Sequence, residues 1–420
     1  MKKLKIGVFG AGRGVDLVSN FDALGGCEVV ALCDFNKDRL EWGAKRLKRE
    51  LALYESFDEF IEHKGMDAVI VANYFNEHAP YIIKCFERNI HVFSECISNG
   101  TMAEGVELVR AYEKTKSIFM LAENYPQMKL NREIKRIVET GTLGKILYAE
   151  GEYNHPVNPD DISFMHRYNY FEKHWRNYNA RSYYVTHSLG PLMWATGATP
   201  RRVTCFASFA ATDAPIPTAS YVGDRAALIM MQNDDGSVFR VTGCAAFGAH
   251  HLSYRVCGTK GQVENLRGMG NRIMLRHNTW NTPDGLGEDL LYEPDWNDKD
   301  APKAARAGHC GGDYFISRSF VNTILEGKEP EHPFDLYSAT VMSSVAILAH
   351  RSMLEGGMPY DIPDFRREED RKKWENDRKT VFYGPNGEAP DLPCCSHPDF
   401  KPTDEQLRLY REATSGFLKK

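Results

Sequence analysis

The sequence has no apolar run approaching the roughly 20 residues that cross a bilayer, so it carries no helical membrane anchor. It has no large excess of charge either: 52 Lys and Arg stand against 57 Asp and Glu, a formal net charge of −5. A nucleic-acid or polyanion partner would favour a basic face, and this balance argues against one. None of the ten cysteines has the Cys-x-x-Cys spacing of a zinc or redox site, and the only close pair is Cys394-Cys395. Scattered thiols of this kind point to a reducing, cytoplasmic compartment, and no metal site is expected. Internal repeats are absent as well. Met1-Lys2-Lys3 mimics the charged start of a secretion signal. The apolar stretch behind it breaks at Gly10, Gly12, Arg13 and Gly14 with no small-residue cleavage site, so it reads as a first strand. What is present is an ordinary globular composition, 42% hydrophobic and 26% charged. At 420 residues the chain exceeds what one core usually serves, and two domains are expected.

The first 125 residues alternate strand and helix. Apolar strands are expected over 3–10, 28–34, 67–73, 91–95 and 118–124. Amphipathic or charged helices are expected over 15–24, 36–52, 78–88 and 102–115. Continuous apolar strands separated by helices mean a parallel sheet covered on both faces, a doubly wound α/β domain. After a helix over 128–141 the pattern changes. Strands at hairpin-like spacing over 146–153, 202–209, 226–231, 237–243, 252–258 and 262–264 indicate an α+β domain with an open, mainly antiparallel sheet. Two later helices are expected over 314–326 and 335–355. The expected division is 1–125, 126–365 and a C-terminal extension over 366–420 with a charged run, a proline-rich stretch and an amphipathic end.

Gly10-Ala11-Gly12-Arg13-Gly14 follows the first strand and opens a helix. Glycines there permit a tight turn, and the helix N-terminus offers free N–H groups and a positive dipole end to a pyrophosphate. The third glycine falls one position early for the strict spacing, where Val15 would stand. Asp34, ending the second strand about 20 residues on, is placed to accept hydrogen bonds from a ribose diol. Phe35 and Asn36 offer no arginine for a 2′-phosphate, which favours NAD over NADP. This is a Rossmann signature. A glycine-rich turn with Asp34 as a helix cap is the plain alternative.

Several segments resemble the glucose–fructose oxidoreductase / inositol dehydrogenase (Gfo/Idh/MocA) family. They are Gly10-Ala11-Gly12, the loop from Ala72 to His78-Ala79-Pro80, His91-Val92-Phe93-Ser94-Glu95, Gly258-Thr259-Lys260-Gly261 and the closing run Met358 to Phe365. The resemblance implies an NAD(P) Rossmann domain, a second domain whose open sheet serves oligomerisation as a homodimer or homotetramer, and a sugar or polyol substrate. The family's Glu-Lys-Pro, however, is Glu95-Cys96-Ile97 here, and a cysteine cannot carry the lysine's charge near neutral pH. Ala122-Glu123-Asn124-Tyr125, Trp175-Arg176, Tyr184-Val185-Thr186-His187 and Gly308-His309-Cys310-Gly311-Gly312-Asp313 are similar to the NAD-dependent glycoside hydrolase branch, typified by bacterial α-N-acetylgalactosaminidases. Val185 and Ser188 depart from that branch's Tyr-Pro-Thr-His-Gly, and Cys310 is an extra residue type in the histidine–glycine run.

The branch implies a cycle on a carbohydrate or glycoside: oxidation at sugar carbon 3 by NAD, loss of the proton on carbon 2, departure of the aglycone, hydration and re-reduction. His187 is the expected base, with an intrinsic pKa near neutrality, and a satisfied core histidine is its plain reading. Tyr184 is expected as proton donor, or as base if a nearby cation lowers its pKa. Cofactor contacts are expected from Gly10, Ala11, Gly12, Arg13, Gly14, Asp34, Asn73, His78, Glu95 and Asn124, with Asn124 at the nicotinamide end. Substrate contacts are expected from Trp175 as a sugar platform, Arg176 and Arg181 holding an anionic group, and Tyr183, His309 and Asp313, although Asp313 also reads as a helix cap. The stretch His166 to Tyr184 that carries most of these is dense in aromatics and cations, as a packed interdomain loop would also be. Two other function classes remain open: an NAD-dependent sugar dehydrogenase, and a non-catalytic NAD-binding regulator.

Overall fold

The computed structural model describes residues 3–156, 172–211, 220–331 and 334–414. The start of the aromatic stretch, His166 to Phe171, lies outside the described residues. The nucleotide half runs β1 (Leu4–Phe9), α1 (Arg13–Leu24), β2 (Cys27–Cys33), α2 (Lys37–Leu47), β3 (Ala52–Tyr54), α3 (Phe57–Phe60), β4 (Ala68–Val71), α4 (His78–Glu87), β5 (His91–Ser94), α5 (Met102–Tyr112) and β6 (Phe119–Leu121). Its six strands are all parallel, in the order β3-β2-β1-β4-β5-β6. The order reverses between β1 and β4, which opens a crevice at the carboxyl ends of those strands.

Local chemistry sets the boundaries. Thr101 and Glu104 form a reciprocal capping box at the start of α5, and Asn36 caps α2 through the Arg39 amide, each worth about 1 kcal/mol. The helix expected to run to Ala52 stops at Leu47, where Lys48 turns left-handed with φ 51°, and the short edge strand β3 follows. Three residues without clear alternation leave too little pattern to distinguish such a strand from a helix end.

After α6 (Lys129–Glu139) the chain forms β7 (Ile146–Asn154), α7 (Thr186–Thr196), β8 (Pro200–Phe209), β9 (Asp224–Asn233), β10 (Val238–Thr242), β11 (His251–Gly258), β12 (Gly261–Asn265), β13 (Ile273–His277) and β14 (Asp289–Tyr292). It continues through α8 (Ala301–Ala304), α9 (Gly312–Glu326), α10 (Leu336–Leu354), β15 (Tyr360–Asp361), α11 (Glu368–Arg371) and α12 (Asp404–Thr414). The nine-stranded sheet has the order β14-β13-β12-β11-β7-β10-β9-β8-β15, antiparallel throughout except for β10 with β7. One face packs on α7 and α10. The other carries Leu147, Phe206, Leu228 and Met230, each more than 40% exposed, beside ion pairs among Glu150, Glu152, Arg240 and Arg255.

The two halves share a core. Ile316, Phe320 and Val321 of α9 pack among Leu17, Phe21 and Phe93 of the nucleotide half. The C-terminal extension closes the other side. Arg351 of α10 makes a bidentate pair with Asp377 (2.5 and 2.6 Å), whose carbonyl accepts from the Ala103 amide of α5. Arg371 pairs with Glu113, and Arg110 of α5 with Glu368 and Glu375. Further on, His350 donates to the Pro393 carbonyl, Ser396 donates to Asp224, and the His397 ring stacks on Phe209 at 3.7 Å. No helix among the described residues is long and apolar enough to cross a membrane.

Candidate active site

The turn after β1 carries Gly10 at φ 101°, where a Cβ would lie 2.2 Å from the Ala72 carbonyl oxygen, so only glycine lets β1 and the β4 loop approach this closely. Ala11 is buried behind the turn. Gly12 precedes α1 without any side-chain cap, and Gly14 packs on Val8 within the first turn of the helix. The first amides of α1 are thus left to an anion. Asp34 accepts from the amides of Ala11 and Asn36, both at 2.8 Å, and so fixes the turn and its own carboxylate together. Burial pushes its carboxyl above the ordinary range, against the two amides and Arg39, which favour the ionised form. The sequence offered no arginine beside Asp34, but folding brings one near: the Arg39 guanidinium would lie 2.9 Å from a Cβ on Gly12.

The far end of the crevice is built by the loops after β4, β5 and β6. Asn73 donates to the Glu77 carbonyl, and His78 donates from Nδ1 to the Ile97 carbonyl at 2.7 Å. Burial lowers the His78 pKa and keeps that ring neutral. Arg13 leaves the glycine turn and bridges Glu95 (2.7 Å) to Asp313 (2.8 and 3.2 Å). Asn124 donates to the same Asp313 at 2.6 Å, and His309 donates from Nδ1 at 3.0 Å. Asp313 therefore takes four donors on two oxygens, which fills its acceptor sites. It does not cap α9, whose N-terminus has no side-chain cap bond, and in this structure its acceptor sites are taken by Arg13, Asn124 and His309. It is a buried hub joining the glycine turn, the β6 loop and the His309 turn. Burial opposes its ionisation, but His309 and Arg13 outweigh burial and hold the carboxyl well below the usual range.

His187 opens α7 and meets this crevice from the second half. Its Nδ1 lies 2.9 and 3.0 Å from the two oxygens of Glu123, and its ring stacks on Tyr125 at 3.9 Å and 10°. Tyr254 donates to the His187 carbonyl at 2.7 Å and fixes the backbone. Glu123 is fully buried and also takes the Tyr125 amide at 3.2 Å and the Cys96 thiol at 3.5 Å. Burial disfavours its charge, yet His187, Thr186 and the Tyr125 amide together lower its pKa. Burial, with Glu123 and Glu95 alongside, pushes the Cys96 thiol well up, so a neutral thiol stands where the family places a lysine. Glu123, Tyr125 and Tyr153 were not singled out as site residues from sequence. The available signal was position, since Glu123 follows β6 on the same sheet edge where Glu95 follows β5.

Tyr184 lies edge-on to His187 at 5.3 Å and stacks with Tyr153 at 5.7 Å. The expectation of a cation-lowered phenol is reversed: burial raises the Tyr184 pKa, Tyr153 adds to it, and Arg176 opposes without prevailing. Tyr184 is a neutral hydroxyl. Trp175 is engaged rather than open, stacked on Phe75 at 5.1 Å and bearing the Arg176 guanidinium 4.3 Å from its ring centre. Arg181 donates to the Asp224 carbonyl at 2.9 Å, at the start of β9. Tyr183 is not at the site. Its side chain faces away from His187 into the core, against Phe382 at 5.2 Å and His350, because the short 3-10 turn over Arg181–Tyr184 sends neighbouring side chains apart. Among the described residues, no group of three or more His, Cys, Asp or Glu side chains is arranged to hold a metal ion.

Comparison with known proteins decides the family. Residues 131–375 match the glycosyl hydrolase 109 C-terminal domain, and residues 4–123 match the oxidoreductase family with an NAD-binding Rossmann fold. The chain belongs to glycosyl hydrolase family 109. It is a Gfo/Idh/MocA-type, NAD-dependent enzyme of carbohydrate chemistry. A glycosyl hydrolase family 109 protein of Saccharopolyspora erythraea is 25% identical over 87% of this chain and 83% of its own length. An alpha-N-acetylgalactosaminidase of Shewanella oneidensis is 24% identical over 87% and 86%. A levoglucosan dehydrogenase solved with NADH and levoglucosan shares the fold with a TM-score of 0.72, at 16% identity over 86% of this chain and all of that one.

Proposed function

We propose that the protein is a redox glycosidase: it hydrolyses a glycoside by transient oxidation at sugar carbon 3, elimination, hydration and re-reduction. The observation that carries this reading is the centre of the site. A neutral Cys96 stands in the family's lysine position, while His187 keeps a buried carboxylate on Nδ1 and presents Nε2 as its remaining ring nitrogen.

The residues fit a dinucleotide. The Gly10 turn is a cradle that a Cβ would fill, the start of α1 is uncapped, and the buried side-chain oxygens of Asn73 and Asn124 have no hydrogen-bond partner. Gly10, Ala11, Gly12, Arg13 and Gly14 would hold the pyrophosphate, Asp34 the adenosine ribose, and Asn73, His78, Glu95 and Asn124 would line the nicotinamide end. Bound NAD supplies a hydride acceptor and, later, a hydride donor. The chain's own part is proton traffic. His187 accepts the sugar proton at Nε2 while Glu123 balances the charge at Nδ1, and Tyr184 donates from a neutral hydroxyl. Arg176, held over Trp175, and His309 would orient the sugar, and the stacked Tyr125 fixes the imidazole plane.

Ten unpaired cysteines support a reducing, cytoplasmic setting. The exposed apolar face of the nine-stranded sheet supports a homodimer or homotetramer. A panel of aryl glycosides tests the mechanism. The expected result is aglycone release with catalytic NAD, and loss of a carbon-2 deuterium label to solvent. One NADH per keto-sugar with the glycosidic bond intact makes the protein a sugar dehydrogenase. His187→Ala should abolish turnover and leave NAD binding nearly unchanged.

A further inference from the structure

We infer that Glu123 is the positioning residue that sets the tautomer of His187, and that Cys96 leaves it free to do so; this rests on the reading of His187 as the base. The Glu123 carboxylate is fully buried, and its neighbours are Cys96, Thr186, His187 and the Tyr125 amide. No lysine or arginine is among them, so among the described residues its counter-charge is the imidazolium that forms when His187 takes a proton. A carboxylate only accepts, so the hydrogen between the two groups belongs to Nδ1 of His187 and the lone pair to Nε2. Gly190 makes the approach possible: a Cβ there would stand 2.7 Å from Glu123 Cγ.

Position 96 completes the arrangement. The Cys96 thiol donates to Glu123 Oε2 without bringing a charge, and its amide faces Glu95. A lysine at that position would place an ammonium between two carboxylates and pair with Glu123, and that pairing would compete with the imidazole for the same oxygens. The missing lysine and the Glu123–His187 pair are then one feature: the positive charge of the site is generated on the histidine during turnover rather than held permanently beside it.

The test is the isosteric Glu123→Gln, with Cys96→Lys as an independent second variant. Histidines labelled with ¹⁵N are followed in the full-length protein by long-range proton–nitrogen spectra, and the His187 signals are identified by their loss in His187→Gln. Wild type is expected to show protonated Nδ1 and a lone pair on Nε2 in the neutral ring. Glu123→Gln, whose amide can donate to Nδ1, is expected to show the opposite tautomer. It should lose about 10⁴-fold in kcat, the scale of a wrong-tautomer defect, with KM changed less than twofold and NAD affinity intact. Cys96→Lys is expected to weaken the Nδ1–H signature and lower kcat at least tenfold. A wild-type His187 protonated at Nε2, or an unchanged tautomer in Glu123→Gln, overturns the inference. Because the spectra need no substrate, that outcome is separate from failure of the glycosidase reading, which would appear as absent aglycone release in the wild type.

Discussion

Asp313→Asn removes one charge and almost no volume, and the structure states what should follow. The carboxylate accepts two hydrogen bonds from Arg13, one from Asn124 and one from His309, and its side chain is 3% exposed. Hydrogen bonds to charged groups contribute about 1.5–3 kcal/mol each, and breaking a buried pair costs about 3–5 kcal/mol because the partner is left uncompensated. Arg13 is 30% exposed and retains Glu95, so the lower end applies, about 3 kcal/mol. The pH dependence has a fixed sign. The folded pKa of Asp313 lies below its unfolded value, so the carboxylate stabilises fully above about pH 4 and loses its contribution as pH falls below that. Urea unfolding of wild type and Asp313→Asn between pH 3 and 7 measures both. The variant should be weaker at pH 7, with the gap narrowing toward pH 3. It should also bind NAD more weakly, because Arg13 is released from its fixed position in the glycine turn. Equal urea midpoints at pH 7, or a gap that does not narrow in acid, would refute the hub.

Three further outcomes are expected. Asp34→Ala should weaken NAD binding by about 1–3 kcal/mol in calorimetry, the worth of a charge-assisted hydrogen bond, and wild type should prefer NAD to NADP; equal affinities would show that Arg39, not Asp34, governs the ribose end. Gly10→Ala places a methyl 2.2 Å from the Ala72 oxygen at φ 101° and should lower thermal stability and abolish dinucleotide binding; a variant that melts and binds like wild type would remove the turn from the cofactor site. Leu228→Lys with Phe206→Glu should dissociate the assembly in light scattering, whereas a monodisperse wild-type monomer at micromolar concentration would refute the sheet-face interface.

Much of the fold was legible because its signals are local. Apolar runs such as 67–73 and 28–34, the glycine turn and Asp34 each lie within one short window, and the parallel sheet follows from their order. The hub was not legible in the same way. Arg13 and Asp313 are 300 positions apart in sequence, and nothing near Asp313 distinguishes four hydrogen bonds from three distant or neighbouring residues from a helix cap. His187 stands in a recognisable motif, but its carboxylate partner, Glu123, comes from the loop after β6, 64 positions earlier. The aromatic run showed which side chains were available and not which way each one faced. Tyr183 and Tyr184 are neighbours in sequence, yet Tyr183 belongs to the core and Tyr184 to the site, a sorting made by one 3-10 turn and by Phe382 from the extension.

The extension runs like a belt from α5 through Asp377 to α10 and on to β8 and β9. This fastening ties the extension to α5, α10 and the nine-stranded sheet at once. Substrate exchange should then depend on local movement at the cleft more than on separation of the halves. Such a build would suit an enzyme that keeps its cofactor from one turnover to the next, as the proposed redox cycle requires.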